Sequence, residues 1–145
     1  MGIGFMDRWR ARHSSGAGGG PPLPGNDEAA MAELFSECGL LRELAESAGV
    51  LLDDGVKSLT ALDQMLPLWR ADPEVSDWLG NDAGLYLGTV LHRTVAGAAW
   101  RLGGHGRPLL VMPDGLELDV TAIGHSWADQ GSPQLALAYL AATDG

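Results

Sequence analysis

The chain has 145 residues, with 9 Lys and Arg against 19 Asp and Glu, a formal net charge of -10, and a hydrophobic fraction of 46%. This length suits one domain with its own core, and the hydrophobic fraction argues against wholesale disorder. The single cysteine excludes an intramolecular disulfide and a cysteine-based zinc site. The apolar runs are far shorter than the roughly 18 residues of a membrane span, and no apolar segment follows the N-terminus. We therefore expect a cytoplasmic protein without a secretory signal.

The charge is unevenly distributed along the chain. Residues 1–13 hold three arginines and one aspartate, whereas residues 27–145 hold six basic and eighteen acidic residues. A body this acidic repels phosphate backbones, so we predict no nucleic-acid partner. Acidity is also an ordinary source of solubility, and an acidic face that docks onto a basic protein is the alternative interpretation.

Composition divides the chain into three parts. Residues 1–13 form a basic, aromatic N-terminal segment, and residues 14–25 form a linker rich in glycine and proline. Residues 26–145 are predicted to form a single acidic α+β domain. Leu and Ala total 42 residues against 14 for Val, Ile and Thr, which favours helix over sheet in that domain.

Two helices are predicted at the start of the domain. The first runs from Asp27 to Ala48, with a capping side chain at residue 26 or 27 and Gly49 at its stop. The second spans Ser58–Trp69, and we expect Pro67 to bend or shorten it because proline lacks a backbone donor.

The middle of the chain is predicted to form two further helices. Asp72 precedes a proline and caps a short helix that ends near Trp78. Asn81 and Asp82 then cap a longer helix over Ala83–Val95. Glycines at 84 and 88 lie one turn apart on it, which indicates a closely packed neighbouring element.

Short strands and two more helices complete the predicted fold. Glycine-rich turns between apolar runs indicate a small antiparallel β-hairpin or meander. The fold class is therefore α+β, mostly α, with N-terminal helices before the strands and C-terminal helices after them. The predicted strands are Ala99–Leu102, Leu109–Met112 and Leu116–Val120, and the predicted helices are Thr121–Gln130 and one capped by Ser132-Pro133 that ends at Ala142.

Few residues indicate catalytic chemistry. Cys38 lies on the apolar stripe of the first predicted helix, so we interpret it as a small buried hydrophobic residue. The histidines lack metal-ligand spacing and the glycine runs lack the context of a nucleotide loop, so we predict no metal and no cofactor. The carboxylates of Asp82, Glu117 and Asp119 carry the enzyme alternative, a hydrolase that uses paired carboxylates.

The N-terminal segment is the strongest candidate for partner binding. Phe5 and Trp9 can line one side of a short helix, and Arg8 and Arg12 lie one turn apart on it. A segment this short needs a surface on which to fold, because helix nucleation is costly. That surface is its own domain, a protein groove or an anionic membrane. Its few apolar and basic groups make membrane binding marginal, so we predict no stable membrane association.

Tyr86 and Trp100 are the candidate residues of an apolar pocket. Their rings supply aromatic area beside the predicted hairpin. A small-ligand sensor that uses this pocket is the third functional alternative.

Several stretches resemble an uncharacterised family of small actinobacterial proteins, a domain of unknown function. The resemblance implies an intracellular actinobacterial source and brings no activity, ligand or catalytic residue. It rests on Trp78-Leu79-Gly80-Asn81-Asp82-Ala83-Gly84-Leu85-Tyr86-Leu87-Gly88-Thr89-Val90-Leu91, Leu62-Asp63-Gln64-Met65-Leu66-Pro67, Trp69, Gly97, Ala99-Trp100, Leu116-Glu117-Leu118-Asp119-Val120, and on Phe5, Asp7, Trp9 and Arg10.

The sequence as a whole favours a non-enzymatic protein. We expect a small cytoplasmic protein-interaction or regulatory module in which the basic aromatic N-terminal segment is a docking peptide for an unidentified protein partner. The hydrolase and the small-ligand sensor are the alternatives, and the oligomeric state is left open.

Overall fold

A computed structural model describes residues 28–104 and 106–144. In this part of the chain, helices precede and follow a small sheet, which confirms the predicted mostly α, α+β class. The predicted segments 1–13 and 14–25 lie outside the described residues. The elements are α1 (Glu28–Phe35), α2 (Gly39–Ser47), α3 (Val56–Trp69), α4 (Pro73–Thr94), β1 (Ala99–Leu102), β2 (Pro108–Val111), β3 (Glu117–Leu118), α5 (Val120–Gln130) and α6 (Leu135–Thr143).

Helix α4 is the centre of the molecule. Most of its length is buried, and α5 packs along it through glycines on both helices. A Cβ atom at Gly84 would overlap the carbonyl oxygen of Val120, and one at Gly124 would overlap that of Gly80. Gly84 therefore faces a closely packed element, as its position in the sequence indicated. The absent side chains let the two backbones approach, which offsets the cost of glycine inside a helix.

The sheet is an antiparallel meander in the order β1-β2-β3. Trp100 is opposite Leu110, and Leu110 is in turn opposite Leu118. The indole of Trp100 fills the space above Gly88 on α4, so the sheet lies directly against the central helix. On the edge strand β1, the backbone N–H of Trp100 donates to the carboxylate of Glu28 at 2.9 Å.

The single helix predicted over Asp27–Ala48 is wrong, because the chain breaks between α1 and α2. Cys38 adopts a left-handed conformation with φ of 41°, which a continuous α-helix does not contain. The guanidinium of Arg42 donates hydrogen bonds to the backbone carbonyls that the break leaves without helical partners. It donates to Ser36 O at 2.9 Å and to Glu37 O at 3.0 Å. The break turns Cys38 and Leu41 into the core.

The second helix extends beyond its predicted start and is not ended by its proline. It begins at Val56, and Ser58 is buried inside it. Pro67 lies in the last turn, and the Arg70 N–H still donates to Leu66 O at 2.8 Å. Pro67 has no N–H to donate to the carbonyl of Asp63, so α3 continues to Trp69 with one backbone hydrogen bond fewer.

The prediction of two helices between Pro73 and Val95 is also wrong. The Asp72 carboxylate does cap the start of α4 by accepting from Glu74 N at 2.9 Å. Asp82, however, is not a cap of its own helix, because α4 runs through it without interruption and its side chain is 1% exposed. Its Oδ2 atom accepts from the backbone N–H of Leu41 at 3.1 Å. The side chain thus caps a different helix, α2.

The C-terminal elements differ from prediction mainly at their boundaries. β2 and α5 begin one residue before their predicted starts, and β3 is shorter. The last helix begins at Leu135, so Ser132-Pro133 does not cap it. Asp63 of α3 does so instead: its carboxylate accepts from Leu135 N at 2.8 Å and Ala136 N at 3.1 Å. The same carboxylate accepts from the indole N–H of Trp127 at 2.8 Å.

The glycine contact between α4 and α5 predicts the effect of adding one methyl group. We expect Gly84→Ala to lower the free energy of unfolding by about 1–3 kcal/mol, because the new Cβ overlaps α5 backbone that cannot move independently. Gly104→Ala is the matched control. Nothing lies within 4 Å of its Cβ position, so its effect stays within about 0.5 kcal/mol. Equal denaturation midpoints for Gly84→Ala and Gly104→Ala would contradict the close packing.

Candidate functional site

The most concentrated group of charged side chains joins α2, the loop after it and α4. We call Arg42, Asp54, Tyr86 and Arg93 the Asp54 cluster. Arg42 Nη1 lies 3.0 Å from Asp54 Oδ1, and Arg93 Nε lies 3.3 Å from Asp54 Oδ2. The first contact is ionic, because Oδ1 lacks a well-aligned hydrogen bond. Asp54 has a positive φ of 62°, a conformation that aspartate tolerates better than most residues.

Tyr86 forms the floor of the Asp54 cluster. Its hydroxyl oxygen accepts from the backbone N–H of Asp54 at 2.9 Å, and Arg42 lies over its ring, 5.3 Å from the centroid. Burial raises the pKa of Tyr86 to about 12. The side chain is therefore a neutral hydrogen-bonding group at physiological pH and not a base.

The loop before α3 is held by side chains next to the Asp54 cluster. Ser58 Oγ donates to Asp53 Oδ1 at 2.7 Å, and the backbone N–H of Gly55 donates to the same atom at 2.9 Å. These bonds lower the pKa of the Asp53 carboxyl. Asp53 thus remains an ionised acceptor that fixes the turn into α3.

A second buried group, Cys38 with Asp82, adjoins the first turn of α2. The thiol contacts Phe35 O at 3.4 Å and Asp82 O at 3.7 Å. Burial, reinforced by the Asp82 carboxylate, raises the pKa of the Cys38 thiol well above its usual value. A thiol in this state is a poor nucleophile, in agreement with the interpretation of Cys38 as a buried core residue. Burial also raises the pKa of Asp82 to about 6.

The three carboxylates of the hydrolase alternative have separate partners. Asp82 accepts from Leu41 in the core. Glu117 forms an ion pair with Arg101 at the surface of the sheet. Asp119 caps α5 by accepting from Ala122 N at 3.2 Å. Asp119 also forms an ion pair with Arg107. Each of these carboxylates thus stabilises a helix start or a strand. None of the three lines the two cavities described below.

The residues predicted for an apolar pocket are both buried, in different surroundings. Tyr86 belongs to the Asp54 cluster, whereas Trp100 packs edge-on against Phe35 with 4.9 Å between ring centroids. Neither ring lines the two cavities described below. The partner-binding candidates Phe5, Arg8, Trp9 and Arg12 lie outside the described residues.

The open cavities on the described surface include two of similar volume. The first, which we call the α4–α6 groove, has a volume of about 490 Å³, and a contact of 2.9 Å between Thr94 Oγ1 and the Tyr139 hydroxyl joins its two helices. The second, the α2 groove, has about 480 Å³ and includes the Arg42 side chain. The α4–α6 groove is lined by Thr94, Val95, Ala96, Met112, Pro113, Asp114, Tyr139, Ala142 and Thr143. The α2 groove is lined by Arg42, Glu46, Gly49, Val50, Leu51 and Leu52.

Sequence reasoning missed the Asp54 cluster and both grooves. Arg42 and Asp54 come from α2 and the loop after it, whereas Tyr86 and Arg93 lie more than 30 residues later on α4, and no spacing rule relates the two pairs. Residues 28–104 and 106–144 contain no group of three or more His, Cys, Asp or Glu side chains placed to hold a metal ion. Among these residues no helix is both long and apolar enough to cross a membrane.

The geometry of the Asp54 cluster predicts unequal roles for its two arginines. We expect Arg42→Ala to lower the free energy of unfolding by about 2 kcal/mol or more, because it leaves the carbonyls of the α1–α2 break without their donor and the Asp54 carboxylate without its nearer ion-pair partner. Arg93→Ala is the control and costs about 0.5–1 kcal/mol, because the Arg93 side chain is more than half exposed. Chemical denaturation checks both variants, and equal losses would contradict this assignment.

The pKa of Asp82 predicts a pH-dependent stability difference. The folded-state value of about 6 is above the unfolded value of about 3.9, so the folded state binds the proton more tightly. The stability from this group is fully present below pH 3.9 and is lost as the pH rises through 6. Asp82→Asn keeps an acceptor and removes the titration. We therefore expect wild type to gain roughly 2–3 kcal/mol relative to Asp82→Asn between pH 7.5 and pH 4. A pH-independent difference in denaturation would refute this.

Comparison with known proteins supplies a family and no activity. Over residues 1–145 the chain matches a family described as "Family of unknown function (DUF6278)". A search of curated proteins and a search of solved structures found no match to this chain. The resemblance to an uncharacterised family of small proteins is thus confirmed. The chain belongs to the family of unknown function DUF6278.

Proposed function

We propose that this protein is a small cytoplasmic protein-interaction or regulatory module whose N-terminal segment docks onto a protein partner. The observation that carries the proposal is that the potentially reactive side chains named below have structural partners within the described domain. Asp63 and Asp82 cap helices, Cys38 is a buried thiol, and the arginine ion pairs hold loops and strands. These side chains have structural partners, which favours binding over catalysis.

The surface of the described domain supports a binding role. Leu137 and Leu140 lie one turn apart on α6 and are 55% and 53% exposed. Single exposed leucines are normal, but an exposed pair on one helix face is typical of surfaces that other proteins contact. The α4–α6 groove lies on the same helix.

The N-terminal segment supplies the chemistry of a docking peptide. Trp9 and Phe5 give large apolar groups, and Arg8 and Arg12 give charge on one side of the same short stretch. Trp and Arg are the residue types that dominate the binding energy of protein interfaces. A partner with an apolar groove and an acidic rim fits this segment.

Affinity capture from lysate of the source organism tests the proposal with single substitutions in the full chain. We expect Trp9→Ala to reduce recovery of the partner by about tenfold or more, because a buried Trp anchor is worth about 2 kcal/mol or more. Arg10→Ala is the matched control. On the short helix that the sequence predicts, Arg10 is off the apolar side, so we expect recovery to stay within about twofold of wild type. Equal recovery with both variants would reject the N-terminal segment as the docking element.

A further inference from the structure

We propose that the α4–α6 groove binds residues 1–13 of the same chain, so that the docking segment is held on its own domain until a partner displaces it. The inference rests on the proposed function for its regulatory meaning, but the intramolecular contact can be measured without any partner. In this arrangement Trp9 occupies the groove, and the arginines of the segment lie near the carboxylates of Asp114 and Asp144 at its edge.

The described chain begins near the C-terminal end of α4, which is also the end of α4 that lines the groove. Glu28, the first described residue, accepts from Trp100 N, and its carboxylate lies 2.8 Å from His92 Nε2 on α4. Thr94, on the groove wall, is two residues further along α4, about 3 Å of helical rise and roughly half a turn around the helix axis. The chain preceding Glu28 therefore starts at the end of the molecule that carries the groove.

The length of the preceding chain is sufficient. Residues 13–27 separate Arg12 from Glu28, and fifteen residues span about 50 Å when extended and about 20 Å as a random coil. Tethers of this length give effective concentrations in the millimolar range. An intrinsically weak contact between the segment and the groove is therefore sufficient to keep the segment bound for much of the time.

The groove matches the segment in polarity and charge. Its lining includes the side chains of Val95, Met112 and Pro113 and the ring of Tyr139, which suit an aromatic group. Asp114 lies in the lining, and Asp144 follows the last lining residue. Neither carboxylate has a basic partner among residues 28–104 and 106–144, whereas the segment carries a local charge of +2.

The α2 groove is a poorer site for the same segment. Its lining contains Arg42 as well as Glu46, so its charges offset each other, whereas the lining of the α4–α6 groove contains Asp114 and no basic residue. Its volume is nearly the same as that of the α4–α6 groove, so it provides an internal comparison of matched size.

Paramagnetic relaxation measured on the full chain tests the contact. A nitroxide is attached to Ser14→Cys, next to the docking segment. Cys38 is buried and its thiol pKa is raised, so the label goes to residue 14, which mass spectrometry verifies. We expect relaxation enhancement at the amides of Ala96, Met112 and Thr143 to exceed that at Val50 and Leu52 by about threefold or more.

Matched substitutions identify the two partners. Trp9→Ala removes the apolar anchor, and Ala96→Arg adds bulk and positive charge at an exposed position in the groove. Both are expected to bring the enhancement at the α4–α6 groove down to the level of the α2 groove. Leu51→Arg makes the same charge change in the α2 groove and is expected to leave the enhancement unchanged. Equal enhancement at both grooves, or insensitivity to Trp9→Ala, overturns the proposal.

Mixing experiments identify the source of the segment. Isotope-labelled chains without the nitroxide are mixed with unlabelled chains that carry it. Enhancement confined to doubly labelled chains supports the intramolecular contact. Enhancement of the same size in the mixture assigns the segment to a second copy and overturns it.

Partner capture then separates this inference from the proposed function. If the segment is held on its own domain, Ala96→Arg frees it and raises partner recovery about two- to tenfold, because the apparent affinity scales with the free fraction. Groove-specific relaxation without any effect of Trp9→Ala on capture rejects the proposed function alone. Loss of capture in Trp9→Ala without groove-specific relaxation rejects the intramolecular contact alone.

Discussion

The buried carboxylate of Asp82 is the interaction on which the arrangement of the N-terminal half depends. Helix α2 starts at a left-handed Cys38 that offers no side-chain acceptor to the first turn, so the N–H of Leu41 needs an acceptor from elsewhere. Helix α4 supplies it, and can do so only by running unbroken through residue 82. The cost of burying this acid appears as its raised pKa. In return α2 is oriented so that Arg42 meets Asp54, and the Asp54 cluster forms as a consequence.

A second long-range carboxylate plays the same part at the other end of the chain. Asp63 of α3 binds the first N–H groups of α6 and the indole N–H of Trp127. Two helices that lack local caps are thus fixed to the body by acidic side chains from other helices. Some of the acidic side chains of this protein therefore have a structural role, since these carboxylates stabilise helix starts through the positive end of the helix dipole.

Local signals in the sequence were sufficient for much of the fold. The strand Ala99–Leu102 and the cap at Asp72 were predictable because turn residues, apolar runs and capping chemistry lie within a few positions of each other. The break before α2 and the continuity of α4 were not, because both depend on Asp82 meeting a residue 41 positions away. Asp82 was predicted to cap the helix that follows it, whereas its side chain caps α2. The two grooves were unpredictable for a related reason, since the α4–α6 groove combines three separated stretches of chain.

The contact between Glu28 and β1 has a consequence for the solubility of the folded protein. β1 is an edge strand, and unpaired N–H groups on such an edge are templates for strands of other molecules. The Glu28 carboxylate takes the N–H of Trp100, and it places a negative charge where an incoming strand would have to present a carbonyl oxygen. The β1 edge is thereby closed to strand addition at its central position. A residue outside the sheet thus protects this position of the β1 edge from pairing with another strand.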